Sequence, residues 1–253
     1  MKQVGLARAL SKRGYCSRSR ASDLIRTGHV KLNGRIRRDP QTPVRLDRDL
    51  IEVDGRTIAA QSMLYLMVNK PRGVVTSAAD EQGRKTVYSC LQDELPWVAP
   101  VGRLDKASEG LLILTNDSEW AARVSSPETH LDKTYHVQVA CVANENLIAQ
   151  ITDGISIATG LHLRTRNARI LRTGQKNTWI EIVLDEGKNR HIRRMLAAIG
   201  IEVLRLVRVA IGPLPLGDLP KGSSRPLTQA EKHGLDTAMN KGDTYTSAKN
   251  NRS

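Results

Sequence analysis

The run Gly102-Arg103-Leu104-Asp105-Lys106-Ala107-Ser108-Glu109-Gly110-Leu111-Leu112-Ile113-Leu114-Thr115-Asn116-Asp117 constrains the fold more than any other part of the chain. Its apolar stretch Leu111–Leu114 has the length of a buried strand. Gly102 and Gly110 permit sharp turns and close backbone approach. A single carboxylate, Asp105, is therefore expected on a tight loop against a rigid sheet, with Arg103 and Lys106 to either side. An acid flanked by cations stays ionised. An ionised and positioned aspartate can serve as a nucleophile or a general base. The plainer alternative is a turn or helix-capping aspartate, the usual role of a loop aspartate.

Charge narrows the choice of partner. The chain has 253 residues and a formal net charge of +13, with an isoelectric point near 10.0. That length holds a large core and a small second domain, and that charge points to a polyanion, nucleic acid first. No stretch approaches the roughly 18 apolar residues that a membrane span needs. The segment Met1–Cys16 is basic and lacks an apolar h-region, so it does not read as a signal peptide. Cys16, Cys90 and Cys141 are far apart and odd in number, which suggests free thiols in a reducing cytoplasm and neither a disulfide frame nor a zinc site. Phenylalanine is absent, so the core must be aliphatic and base-stacking platforms few.

Residues 1–60 read as a small α+β unit. Val4, Ala7, Leu6 and Leu10 recur at helical spacing, and Gly14 ends that helix. Ser17 or Ser19 caps a second helix that runs to about Arg26. Gly28–Ile36 reads as strand, Asn33-Gly34 turn and strand, and Asp49–Ile58 as a hairpin around Asp54-Gly55. Ala59–Ser62 is the expected linker. Residues 1–38 carry eleven Lys or Arg and one acid, Asp23. Such density suits an RNA backbone, where each neutralised phosphate releases counterions. Arg18, Arg20, Arg26, Lys31 and Arg35 are the candidate phosphate contacts, which position a protein but carry little sequence information. The pattern of two helices followed by G-x-V-x-[LV]-N-G resembles the S4 RNA-binding domain.

Residues 61–233 read as a second, larger domain. Met63–Val68 has strand length and breaks at Asn69-Lys70-Pro71-Arg72-Gly73. Ser77–Lys85 is polar and reads as a loop near bound RNA. Ser118–Val124 reads as a short helix with Trp120 in the core. Lys133–Val139 alternates as a strand does. Ala143–Gly154 is an amphipathic helix, Ile155–Arg169 a strand pair, and Thr178–Leu184 a strong strand. Val203–Val209 and Ile211–Leu216 are apolar, with Gly212-Pro213 between. Beyond His233 the chain is polar, and residues 234–253 read as a basic disordered tail.

The Gly102–Asp117 string resembles the G-R-L-D-x-x-[ST]-x-G-L-L-x-L-T-[ND]-D signature of pseudouridine synthases, in the branch that modifies ribosomal RNA and carries an S4 domain. Asn69–Gly73 resembles that family's N-K-P-x-G element, a turn that braces the active loop. Lys133-Thr134-Tyr135 resembles its K-[ST]-Y element, and Glu186–Met195 its E-G-[KR]-x-x-Q-[IV]-R-R-M element, with His191 in place of the glutamine. The resemblance implies that Asp105 is catalytic, that Tyr135 faces the target base, and that Arg193 pairs with Asp105. Arg103, Lys133 and Lys188 are then RNA contacts, and Arg190 and Arg194 RNA or structural contacts. It also implies a mixed, mainly antiparallel sheet with flanking helices. The activity it implies is isomerisation of uridine to pseudouridine, with Asp105 acting on the ribose C1′ of a flipped-out nucleotide, a reaction expected to need no cofactor and no metal. The expected partner is ribosomal RNA, with the large subunit favoured over the small, for a cytoplasmic monomer. The rival reading is a non-catalytic S4-domain assembly factor that binds RNA. A third, an N-glycosidase acting on nucleotides, would release free base.

Overall fold

The computed structural model describes residues 3–59, 61–77, 82–91 and 95–250, with side chains of the final helix described as far as Lys241. The chain is α+β. In the N-terminal unit, helices α1 (Leu6–Lys12) and α2 (Arg18–Arg26) pack on a small sheet of β1 (Val30–Leu32), β2 (Arg35–Ile36), β3 (Ile51–Val53) and β4 (Arg56–Thr57). Ser17 caps α2, its hydroxyl accepting from the Arg20 N–H. Asn33-Gly34 and Asp54-Gly55 all take positive φ, from +48° to +78°, which is the geometry of tight two-residue hairpins. Leu6, Leu10, Ile25, Val30, Val44 and Ile51 form an aliphatic core. Val4 departs from the helical reading: it pairs with Val44 in a short antiparallel bridge, because a partner about forty residues away satisfies its backbone.

The larger unit is built on one nine-stranded sheet. Its main strands are β5 (Tyr65–Lys70), β6 (Glu109–Thr115), β7 (Lys133–Val139), β8 (Asn167–Thr173), β9 (Thr178–Leu184), β10 (Val203–Ile211) and β11 (Ser224–Pro226). They lie in the order β8-β9-β7-β10-β6-β5-β11, with Ala99–Val101 added to β6 and Leu214–Pro215 to β10. Every pairing is antiparallel except β10 with β6, where only Val207↔Glu109 and Arg208↔Gly110 face each other in parallel. All seven residues of β6 are buried: Leu111–Leu114 is its apolar run, and the Glu109 carboxylate accepts from Arg205. Helices α4 (Glu145–Asp153) and α5 (His191–Ala198) cover one face around Val137, Ile151, Ile180 and Met195. Helix α3 (Ser118–Ser125) covers the other end through Trp120 and Val124. Within the stretch read as a strand pair, Ile155–Ser156 pairs with His162–Leu163, whereas β8 belongs to the main sheet.

The disordered-tail expectation is corrected. Helix α6 (Gln229–Asn250) takes in residues 234–250 of that tail, and residues 251–253 lie outside the described residues. Leu235 and Met239 lie four apart and both are fully buried with Trp120, while Asp236 accepts from Trp120 Nε1 at 2.7 Å. Two apolar residues at helical spacing give too short a signal to be read without the surface that receives them. The two units also touch, through Trp97 N–H to Gly14 O at 2.8 Å and Lys12 Nζ to Glu119 at 2.7 Å.

Candidate active site

The loop between Ala99–Val101 and β6 presents Asp105. Its shape is set by its backbone neighbours. Ser108 N–H donates to Asp105 O at 2.9 Å, and Gly73 N–H to Lys106 O at 2.8 Å. Thr76 Oγ1 donates to Leu104 O at 2.8 Å. The segment Asn69–Gly73 thus braces the loop, as its resemblance implies. Behind it, Lys70 is fully buried and donates from Nζ to Ser108 O at 2.8 Å and Pro71 O at 3.1 Å. Burial lowers its pKa to about 8, against weaker raising by Cys90, Asp105 and Glu109. Gly110 takes φ +102° and lets β6 lie directly against Arg208 of β10.

A cleft of about 370 Å³ opens over this loop. Its lining gathers Asp105, Arg103, Tyr135, Lys133, Lys188 and Arg190, six of the residues singled out from sequence. Tyr135 reaches it from β7, between Ile182 of β9 and Arg208 of β10. Neither the Asp105 carboxylate nor the Tyr135 hydroxyl has a hydrogen-bond partner among the described residues, so both are free to meet a ligand. The side chains that could hold a metal do not cluster: among the described residues no three His, Cys, Asp or Glu come together for one.

Arg193 stands behind the loop. The expected direct pair with Asp105 is absent: the guanidinium donates to Ala107 O at 3.1 Å and Val203 O at 3.2 Å, and its Nε is buried without a partner. It ties the first turns of α5 to the backbone two residues beyond Asp105. Its pKa is lowered, by burial first and by Arg190 next, while the Asp105 charge raises it, so the two groups do feel each other. Arg194 turns away, and its Nη2 reaches Thr159 Oγ1 at 3.4 Å. His191 is buried in the cleft wall with neither ring nitrogen hydrogen-bonded. Glu186 lies 3.7 Å from its Nδ1, and burial lowers the pKa of His191 while the Glu186 charge raises it.

Arg18, Arg20, Arg26, Lys31 and Arg35 are all exposed on α2 and the β1–β2 hairpin, outside the cleft. Arg13, in the same basic segment, is structural: it is buried and donates to Ile58 O, Leu46 O and Asp49 O. Part of the loop expected near RNA, residues 78–81, lies outside the described residues. Beside the site, the burial of two cations, Lys70 and Arg208, escaped the sequence reading. The available signal was a charge inside an apolar strand, Arg208 in Val-Leu-Arg-Leu-Val-Arg-Val-Ala-Ile and Lys70 at the end of Tyr-Leu-Met-Val-Asn-Lys.

Comparison with known proteins identifies the family and the fold. Residues 64–198 match the family model for RNA pseudouridylate synthase, and residues 4–51 that for the S4 domain. An uncharacterized RNA pseudouridine synthase of Aquifex aeolicus is 39% identical over 94% of this chain and 96% of its own. Ribosomal large subunit pseudouridine synthase B of Bacillus subtilis is 35% identical over 89% of this chain and 93% of its own. A crystal structure of a pseudouridylate synthase superposes with a TM-score of 0.64 at 31% identity, covering 92% of this chain and 99% of that one.

Proposed function

The chain belongs to the RNA pseudouridine synthase family, and from that premise we propose that it isomerises uridine to pseudouridine in ribosomal RNA, with Asp105 acting on the ribose. The observation that carries the reading is the unpartnered Asp105 carboxylate, placed with Tyr135 in a cleft lined by Arg103, Lys133, Lys188 and Arg190.

In the reaction the N1–C1′ bond breaks, the base turns, a C5–C1′ bond forms, and the proton on C5 is lost as N1 gains one. Atoms and charge balance without an oxidant or a co-reactant. A stacked uridine cannot bring C1′ to a carboxylate on a protein loop, so the nucleotide is everted, which costs a few kcal/mol and is cheapest in loops and bulges. Asp105 either attacks C1′ or shields the charge that develops there. Arg193 is a positioning residue, holding the loop through Ala107 O and contributing positive potential beside Asp105. Tyr135 packs on the everted base, with its hydroxyl toward the sugar. The exposed arginines and lysine of residues 1–60 dock the RNA backbone, and residues 61–233 carry the chemistry.

The resemblance to the B. subtilis enzyme favours large-subunit RNA. Free thiols at Cys16, Cys90 and Cys141 suit a reducing cytoplasm. The paired domains supply both docking and catalysis within one chain, so a monomer suffices.

Asp105→Asn keeps the shape and removes the charge. Folding and RNA binding are expected to stay near wild type while product disappears, read as loss of carbodiimide-dependent reverse-transcription stops on ribosomal RNA. Stops that persist in the variant would remove Asp105 from catalysis. Stops absent even with the wild-type protein would favour the non-catalytic assembly factor.

A further inference from the structure

The floor of the cleft holds a positive charge that the protein leaves unneutralised. Arg208, on β10, is 6% exposed and lines the cleft. Its Nε donates to Leu111 O at 2.8 Å, and its Nη2 is buried with no hydrogen-bond partner. Among the described residues no carboxylate comes within 4.0 Å of it. A guanidinium does not deprotonate in a protein. A buried charge without a counter-charge is strongly unfavourable, so a fold keeps one where something from outside completes it.

A second cation faces the same space. Lys133 lines the cleft from β7, two residues before Tyr135, which is the register partner of Arg208. Its pKa is lowered by burial and then by the Arg208 charge, while Asp132 and Asp185 act the other way. Asp132 is itself held by Arg166 at 2.8 Å. Asp105 shares the cleft but pairs with neither cation.

We propose that Arg208 and Lys133 form a phosphate subsite on the cleft floor, which takes a backbone phosphodiester adjoining the everted uridine. The anions of an RNA are its phosphodiesters, and one of them answers both cations. A uracil carbonyl is neutral and would leave the guanidinium uncompensated. The subsite deepens the RNA-modifying reading and rests on it. It would fix the ribose beside Asp105: β7 carries both Tyr135 and Lys133, and β10 carries Arg208, the register partner of Tyr135.

The test uses the full chain and displacement of labelled polyuridylate by uridine, uridine 5′-monophosphate and uridine 3′-monophosphate. For the wild type, one monophosphate should compete about tenfold better than uridine, the scale of a charge-assisted hydrogen bond. Arg208→Met and Lys133→Met should each narrow that gap to about twofold or less and leave uridine itself unchanged. Arg208→Lys, which keeps the charge, should retain most of it. Urea unfolding checks each variant; should Arg208→Met fail to fold, Arg208→Lys and Lys133→Met carry the test. An unchanged gap in the variants, or an equal loss for uridine and its monophosphates, would overturn the subsite. Polyuridylate bound normally with no gap in the wild type would overturn the subsite alone. A wild-type protein that does not bind polyuridylate would take the RNA reading down with it.

Discussion

Gly110 offers a sharp test of how the active loop is held. A Cβ built there would sit 2.3 Å from Arg208 O, 2.8 Å from Arg208 N and 3.0 Å from Arg208 C. These are backbone atoms of the neighbouring strand, so relief requires β6 and β10 to part by about 1 Å. Crowding of that kind costs about 1–3 kcal/mol. The backbone adds to it, since φ is +102° and a side chain there is strained by about 1–3 kcal/mol. Gly110→Ala should therefore lose about 4 kcal/mol of stability. Gly102 supplies the control from the same motif: its φ is +71° but nothing lies within 4 Å of a Cβ, so Gly102→Ala should lose only about 1 kcal/mol. Urea unfolding followed by tryptophan fluorescence gives both values, with unchanged slopes if the unfolded surface is the same. Activity should diverge further. The strands meet in parallel through just two residue pairs, and parting them moves Asp105 away from Tyr135. A misplacement of about 1 Å costs on the order of a hundredfold in rate. If Gly110→Ala came within about 1 kcal/mol of Gly102→Ala, the close approach to Arg208 would not be what holds the loop.

Three further outcomes follow from the packing. Burial holds Lys70 at about 8 instead of 10.5, so the folded state binds fewer protons than the unfolded one between those values, and stability should rise with pH across that window. At 1.36 kcal/mol per pKa unit the rise is about 3 kcal/mol; Lys70→Met should lack it, and parallel stability–pH curves would contradict the burial. Leu235→Ala should cost about 2–5 kcal/mol by urea unfolding, because the side chain is fully buried against α3, and a loss under about 0.5 kcal/mol would detach α6 from the core. Arg18→Ala with Arg20→Ala should weaken RNA binding and flatten its salt dependence by about one to two units in log–log slope; an unchanged slope would move the docking surface elsewhere.

Some of this molecule is written locally in its residues. Asn33-Gly34 and Asp54-Gly55 announce hairpins because few other pairs accept two successive positive φ values. Ser17 caps α2 because its hydroxyl satisfies an N–H three residues ahead. The alternation of Lys133–Val139 defines a strand, and the apolar run Leu111–Leu114 marks a buried one. The motif around Asp105 marked the carboxylate, and the cleft gathers it with five of the residues chosen alongside it.

The rest was decided by what the chain meets in space. Val4 became a strand because Val44 came beside it, and the tail became a packed helix because its Leu235, Asp236 and Met239 met Trp120. Sequence spacing cannot tell that Arg193 reaches Ala107 O from 86 positions away, or that it holds the loop through a carbonyl in place of the carboxylate. Lys70 and Arg208 look like surface charges when read one residue at a time; the strands that close over them come from distant segments, and burial is what gives those charges their energy. Hydrogen bonding to a residue's own neighbours is encoded within a few positions, whereas desolvation depends on every segment that excludes water from the site.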